Sequence, residues 1–371
     1  METGIFRENG RYYLSFQYLP KRLPHREEKI KTLRKVIRPI LSEAYEEYAI
    51  PVIYGPTGTG KTTTVRYLIE RIREEGINPR LHISMINCGV EQKPYNVMQR
   101  VSQEVLETMM RGYGYEEIIT MIYDALEMRD EYLLLILDEV DELLRNDKGR
   151  LLYIITRLEE RIESVKRIFP LLIARRYESI IDLPPHIRNK ISGPVIYFEP
   201  YSKEQMKDII LDRVELAINP GKISDNSINI ISFISANIEG GDARSALTLL
   251  KNSGEIAENL KASRIVAEHV RKAFEQRGGL IIARHLKSLD SKSFKLLKCI
   301  AEILSEDLDR YIISIEVMRK VQFLMSARYG ICMSDLDINE YLERLRENRL
   351  LHKDNSNYIF ISLPVESILK S

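Results

Sequence analysis

Two regimes of apolar patterning divide this chain. In the first two hundred residues, short apolar runs recur between longer stretches of helical periodicity. Tyr132-Leu133-Leu134-Leu135-Ile136-Leu137 carries six apolar residues without a polar one, the mark of a strand buried on both faces. Pro51 to Tyr54, Arg80 to Cys88, Ile168 to Ala174 and Val195 to Phe198 read as further strands. Between them the 3.6-residue period predicts helices over 95–110, 115–126 and 150–165, the first two split by Arg111-Gly112-Tyr113-Gly114. Strands alternating with helices predict an α/β domain over residues 1–200, built on a mostly parallel, doubly wound sheet.

From Ser202 the strand signal disappears. Helical periodicity over 203–216, 225–238, 242–257 and 262–276 predicts an all-helical lid spanning 201–278. Gly278-Gly279 marks a boundary. Residues 279–371 then read as helices near 281–289, 294–304, 315–329 and 334–347, followed by a hairpin turning at Asp354-Asn355-Ser356-Asn357. Helices closed by a terminal hairpin predict a winged helix-turn-helix.

The chemistry concentrates where strand gives way to helix. Gly55-Pro56-Thr57-Gly58-Thr59-Gly60-Lys61-Thr62 follows the first strand, and a helical pattern opens at Thr63. A triphosphate presents anionic oxygens that a loop holds with inward-turned backbone N–H groups, and glycines permit that approach. Lys61 supplies a point charge to the outer phosphates and Thr62 a hydroxyl for Mg²⁺, while the helix N-terminus adds partial positive charge. The expected cofactors are therefore ATP or ADP with Mg²⁺. Asp138-Glu139 ends the most apolar strand, at the carboxyl edge where open α/β sheets bind ligands. Asp138 reads as the Mg²⁺-side carboxylate and Glu139 as the base that orients or deprotonates water. The same pair could simply start a helix that Asp141 and Glu142 continue; the phosphate loop upstream favours the chemical reading.

Composition adds mainly exclusions. The chain has 371 residues, a net charge of +1, three cysteines and six histidines. No apolar run approaches the ~20 residues that span a bilayer, so no membrane association and a cytoplasmic location are expected. Cys88, Cys299 and Cys332 are scattered, which suits buried thiols better than a disulfide framework or a zinc site. The near-zero net charge makes any nucleic-acid contact a local matter.

In this order, the parts resemble one family: the archaeal origin-recognition initiators, AAA+ ATPases related to eukaryotic origin-recognition and cell-division-cycle loader subunits. Leu23-Pro24-His25-Arg26-Glu27 is similar to that family's adenine-side motif, placing Leu23, Pro24 and Arg26 beside the base. The phosphate loop, Gly55 to Thr63, and Leu137-Asp138-Glu139 look like its Walker elements. Phe198-Glu199-Pro200-Tyr201 is similar to its linker, where the Tyr201 ring would approach adenine. Gly240-Gly241-Asp242-Ala243-Arg244 looks like its second sensor, in which Arg244 would reach the outer phosphates. The resemblance implies ATP-dependent binding of double-stranded origin DNA and a role in loading the replicative helicase or regulating that step. Paralogous initiator subunits would be partners, and the protein would associate with the nucleoid.

Three departures qualify these implications. Where the family's next strand usually ends in a water-positioning asparagine, Ile173-Ala174 runs into Arg175-Arg176. His186 stands in Pro184-Pro185-His186-Ile187-Arg188 where an interface arginine is expected, leaving Arg188 a shifted substitute. A weak, Mg²⁺-dependent ATPase with slow hydrolysis is therefore the expectation. From Leu280 onward there are 14 Lys and Arg against 13 Asp and Glu, a difference of +1, and the expected recognition helix carries Asp335, Asp337, Glu340 and Glu343. The candidate DNA contacts are Arg344, Arg346 and Lys353 there, with Lys93, Arg100, Arg111 and Tyr113 in the first domain. The balanced charge keeps a second function open: a nucleotide-dependent protein-interaction switch, or a transcription regulator, whose winged domain binds a partner.

Overall fold

The structure is a computed structural model that describes residues 4–42, 48–76, 78–161, 166–354, 357–360 and 363–370. The chain divides into two compact units, Leu19–Pro200 and the remainder, in which Met1–Tyr18 joins Tyr201–Ser371. The expected first domain, 1–200, thus loses its N-terminal segment to the lid unit.

Leu19–Pro200 contains five parallel strands, β1 (Val52–Tyr54), β2 (Leu81–Asn87), β3 (Tyr132–Asp138), β4 (Ile168–Ala174) and β5 (Val195–Tyr197), in the order β2-β3-β4-β1-β5. The two-residue period of a strand distributes its side chains to two cores. Leu133, Leu135 and Leu137 of β3, with Leu172 and Ala174 of β4, face one apolar cluster, which helices Pro94–Val105, Tyr115–Met128 and Val140–Asp147 complete. Leu134, Ile136, Phe169 and Ile173 face the other, against helices Glu27–Leu41 and Lys61–Glu75. All seven positions of β3 are buried, the reason its sequence runs apolar without alternation. The first of the helices expected to flank the Arg111-Gly112 break ends at Val105 rather than 110, and Glu107 follows with a positive φ of 57°. The helix from Arg150 ends at Arg161; the rest of its expected length, 162–165, lies outside the described residues.

In the second unit, Ile5, Phe6 and Leu14 enter the same core as Tyr201, Met206, Ile230, Leu249 and Val270 of the lid. Helices Lys203–Ala217, Asp225–Phe233 and Ala243–Asn259 match the expected lid, with a π-helical turn over Ile234–Ile238. The Gly278-Gly279 boundary does not interrupt the backbone: one helix runs from Ala267 to Lys287, since glycine lowers helix stability by only about 1 kcal/mol against alanine. A separate apolar cluster holds the C-terminal part. Helices Ser291–Ser305, Ile315–Tyr329 and Asp335–Glu347 lie there with an antiparallel sheet of β6 (Ile312–Ile313), β7 (Leu351–Asp354) and β8 (Asn357–Phe360), ordered β6-β8-β7. The turn expected at Asn355-Ser356 lies outside the described residues. Cys88 and Cys299 are buried, whereas Cys332 is exposed, against the expectation of three buried thiols. No described helix is long and apolar enough to cross a membrane.

Candidate nucleotide-binding site

The site is built where β1 and β3 end. Helix Lys61–Glu75 opens directly after the loop, with Gly60 in the left-handed region at φ 86° and no side chain capping the first turn. Its first N–H groups are thereby offered to an anion. Inside the loop, the Thr59 hydroxyl donates to the Pro56 carbonyl at 2.9 Å, and the Thr64 amide and hydroxyl both donate to Gly60 O, at 2.8 and 2.7 Å. Gly55 is needed for packing: a Cβ there would stand 2.3 Å from the Phe198 carbonyl oxygen. The Phe198 amide in turn donates to Tyr54 O at 2.8 Å, which ties the end of β5 to the start of the loop.

Lys61 is only 8% exposed, and its ammonium donates to the carbonyls of Gly55 at 2.6 Å and Pro56 at 2.8 Å. The charge is thus held at the loop's mouth. Thr62 donates its hydroxyl to Asp138 Oδ2 at 2.8 Å, while the Glu139 amide donates to Asp138 Oδ1 at 2.9 Å. Residues 76 positions apart in sequence meet because β1 and β3 are separated by β4 alone. Burial, to 4% exposure, pushes the Asp138 carboxyl above its usual range against the pull of those two donors. A buried carboxylate touching a threonine hydroxyl is a pair of hard oxygen donors, a set that fits Mg²⁺.

Glu139 lies at the start of helix Val140–Asp147 with a φ of 52°. Its Oε2 pairs with Arg175 Nη2 at 3.0 Å. This partner was not legible beforehand, because it lies 36 positions away and stood out only as a departure from the asparagine pattern. Arg26, the residue expected beside the base, is held by backbone carbonyls. It is 3% exposed, and its guanidinium donates to Thr59 O twice, at 3.0 and 2.8 Å, to Glu199 O at 2.9 Å and to His25 O at 3.0 Å. The residue clamps the phosphate loop to the end of the β5 segment. Leu23 and Pro24 precede it, half-buried.

The remaining candidates are described on their own elements. Arg244 is exposed in the first turn of helix Ala243–Asn259, which Asp242 caps by accepting from the amides of Arg244 and Ser245 at 2.8 and 3.3 Å. Tyr201 is buried within the lid cluster. Arg188 donates back to Ile181 O at 2.9 Å. Lys93 sits exposed before helix Pro94–Val105, Arg100 on that helix pairs with Glu91 at 3.5 Å, and Arg111 and Tyr113 lie on the exposed connection before Tyr115. In the C-terminal part Arg344 pairs with Glu340 at 2.6 Å and Asp290 at 3.8 Å, Arg346 with Glu343, and Lys353 with Glu343 at 3.6 Å. Each of these three cations has a carboxylate beside it.

Comparison with known proteins follows the same division. A family model described as an AAA domain matches residues 45–178, and one described as a Cdc6 AAA+ ATPase-type lid domain matches 207–275. The ORC1-type DNA replication protein of Pyrococcus horikoshii is 31% identical over 295 residues, covering 77% of this chain and 69% of that protein. Among solved structures, Cdc6p from Pyrobaculum aerophilum superposes with a TM-score of 0.85 at 24% identity, over 99% of this chain and 97% of that one. The Aeropyrum pernix ORC1 protein, solved in complex with DNA, gives a TM-score of 0.66 at 24% identity over 100% and 98% of the two chains. Nucleotide binding by the AAA+ domain accords with these matches.

Proposed function

Since the chain belongs to the ORC1-type DNA replication proteins, we propose that it is an initiator whose hold on double-stranded origin DNA depends on bound ATP. The observation that carries this reading is the contact of Thr62 with Asp138 beside the buried Lys61 ammonium. Lys61 would neutralise the outer phosphates, and Thr62 with Asp138 would hold Mg²⁺, whose role when bound is to polarise the transferred phosphoryl group. Glu139 would accept a proton as a water oxygen bonds to the γ-phosphorus. The bond from that phosphorus to the bridging oxygen then breaks, and its electron pair leaves with ADP. The resemblance adds Arg244 at the outer phosphates and Tyr201 with Leu23 and Pro24 at the adenine. Slow turnover fits the absence of an asparagine after β4. Loading of a replicative helicase and pairing with paralogous subunits belong to the same reading.

A second reading draws support from the C-terminal part, where Arg344, Arg346 and Lys353 all face carboxylates. A domain so neutralised suits a protein partner, making the chain a nucleotide-dependent interaction switch. Selection from a randomised duplex library with ATP-loaded and ADP-loaded protein separates the two. An enriched motif is expected, with affinity falling steeply with salt and lost in Lys61→Ala; weak, salt-independent retention without enrichment would overturn DNA recognition in favour of the switch.

A further inference from the structure

Glu139 is held from two sides. Its carboxylate meets the Arg175 guanidinium at 3.0 Å, and it lies so close over Gly89 that a Cβ on that glycine would stand 2.3 Å from Oε2. Arg175 is equally fixed, by its backbone. The buried Asp141 carboxylate accepts from the amides of Arg175 at 2.7 Å and Arg176 at 3.3 Å, and from the Ser179 hydroxyl at 2.6 Å. The sheet order explains the meeting: β4 runs between β3 and β1, so the residue after β4 emerges between the acidic pair and the phosphate loop. The left-handed backbone of Glu139, uncommon for a residue with a Cβ, further restricts where its side chain can go.

Resting on the reading of Glu139 as the base of nucleotide hydrolysis, we propose that Arg175 is a positioning residue that latches the Glu139 carboxylate, so that each turnover requires the pair to open. A carboxylate committed to a guanidinium offers less of its lone-pair capacity to a water proton. Opening then frees Glu139 without touching the groups that bind nucleotide. The latch is modest in strength, because the Arg175 and Glu139 side chains are 47% and 25% exposed, and pairs of this kind change an equilibrium by about two- to fivefold.

The test is steady-state ATP hydrolysis by the full chain, with affinity for a fluorescent ATP analogue measured in parallel. Arg175→Ala is expected to raise kcat about two- to fivefold with analogue affinity unchanged. Arg175→Lys, which keeps a cation within reach, should stay near the wild-type rate. High salt should narrow the gap between wild type and Arg175→Ala. Glu139→Gln should abolish hydrolysis in either background. A kcat that stays level or falls in Arg175→Ala, or a gain that persists with Glu139→Gln, overturns the latch alone. Failure of the wild-type chain to bind the analogue, or hydrolysis undiminished by Glu139→Gln, overturns the reading of the site and the latch with it.

Discussion

Arg26 concentrates several demands in one side chain. A planar fork of donors is needed to reach Thr59 O, Glu199 O and His25 O together, and the guanidinium also lies 5.4 Å from the Phe198 ring centroid. Arginine has that geometry, whereas lysine presents a single ammonium point. Arg26→Ala would strand the buried Thr59 carbonyl, a loss of about 1–3 kcal/mol in urea unfolding. It should also weaken nucleotide binding roughly tenfold, because an unclamped loop must be ordered on binding. Arg26→Lys should recover only part of either. An unchanged urea midpoint in Arg26→Ala would remove the clamp from this account. Sequence similarity placed Arg26 beside the base because a motif records position, and the hydrogen-bond partners that define its role come from segments 33 and 173 residues away.

At the scale of an element, β7 carries an imidazole that the fold keeps neutral. Burial, with the Arg349 charge acting in the same direction, holds His352 down to about 4 from an ordinary 6.5, and the Phe233 ring packs 6.1 Å from it. The unfolded chain therefore binds a proton between pH 6.5 and 4 that the folded chain refuses. The stability this gives is fully present above pH 6.5 and is lost as pH falls toward 4, on the order of 3 kcal/mol. His352→Gln should flatten the decline, read as the difference in unfolding free energy between pH 7.5 and 5; equal slopes for both proteins would mean that His352 is charged in the fold. The sequence gives only a histidine just before the expected hairpin turn, because burial depends on which face of the sheet is covered. That is a property of the register β7 adopts against β8 and of the lid beneath it.

Across the whole molecule, the sharpest difference from expectation is the join of lid and C-terminal part within their shared unit. Arg271 is fully buried, pairs with Glu268 at 2.8 Å and reaches the Arg310 carbonyl, while Glu268 accepts from the Val365 amide at 2.9 Å. Asp309 adds a second junction, accepting from the Ser224 hydroxyl at 2.6 Å and the Ala267 amide at 3.0 Å. Glu268→Ala leaves a buried guanidinium without its counter-charge and should cost about 3–5 kcal/mol in unfolding free energy. The double variant Glu268→Ala with Arg271→Met should cost less than the single one, because the stranded charge is gone. A double variant no more stable than the single would refute the paired-charge account. Two glycines in sequence suggested a break here, and nothing local revealed that a charged pair would stitch both sides of it.

What the sequence by itself determined is the part governed by local rules. Apolar runs marked β1, β3 and β4 most clearly, since a strand covered on both faces admits few polar side chains. The glycine spacing before Lys61 marked the phosphate loop, since backbone N–H groups can ring an anion only where the chain bends that way. The 3.6-residue period marked helices that Ser202, Asp242 and Ser334 cap, and both signals are local because capping acts within three residues. Tertiary structure alone decided which groups far apart in sequence meet: Thr62 with Asp138, Arg26 with Thr59, Arg175 with Glu139, and the first eighteen residues with the lid. Those contacts follow from strand order and from burial, where the cost of an unpaired polar group selects partners by position in space, and no periodicity along the chain encodes that choice.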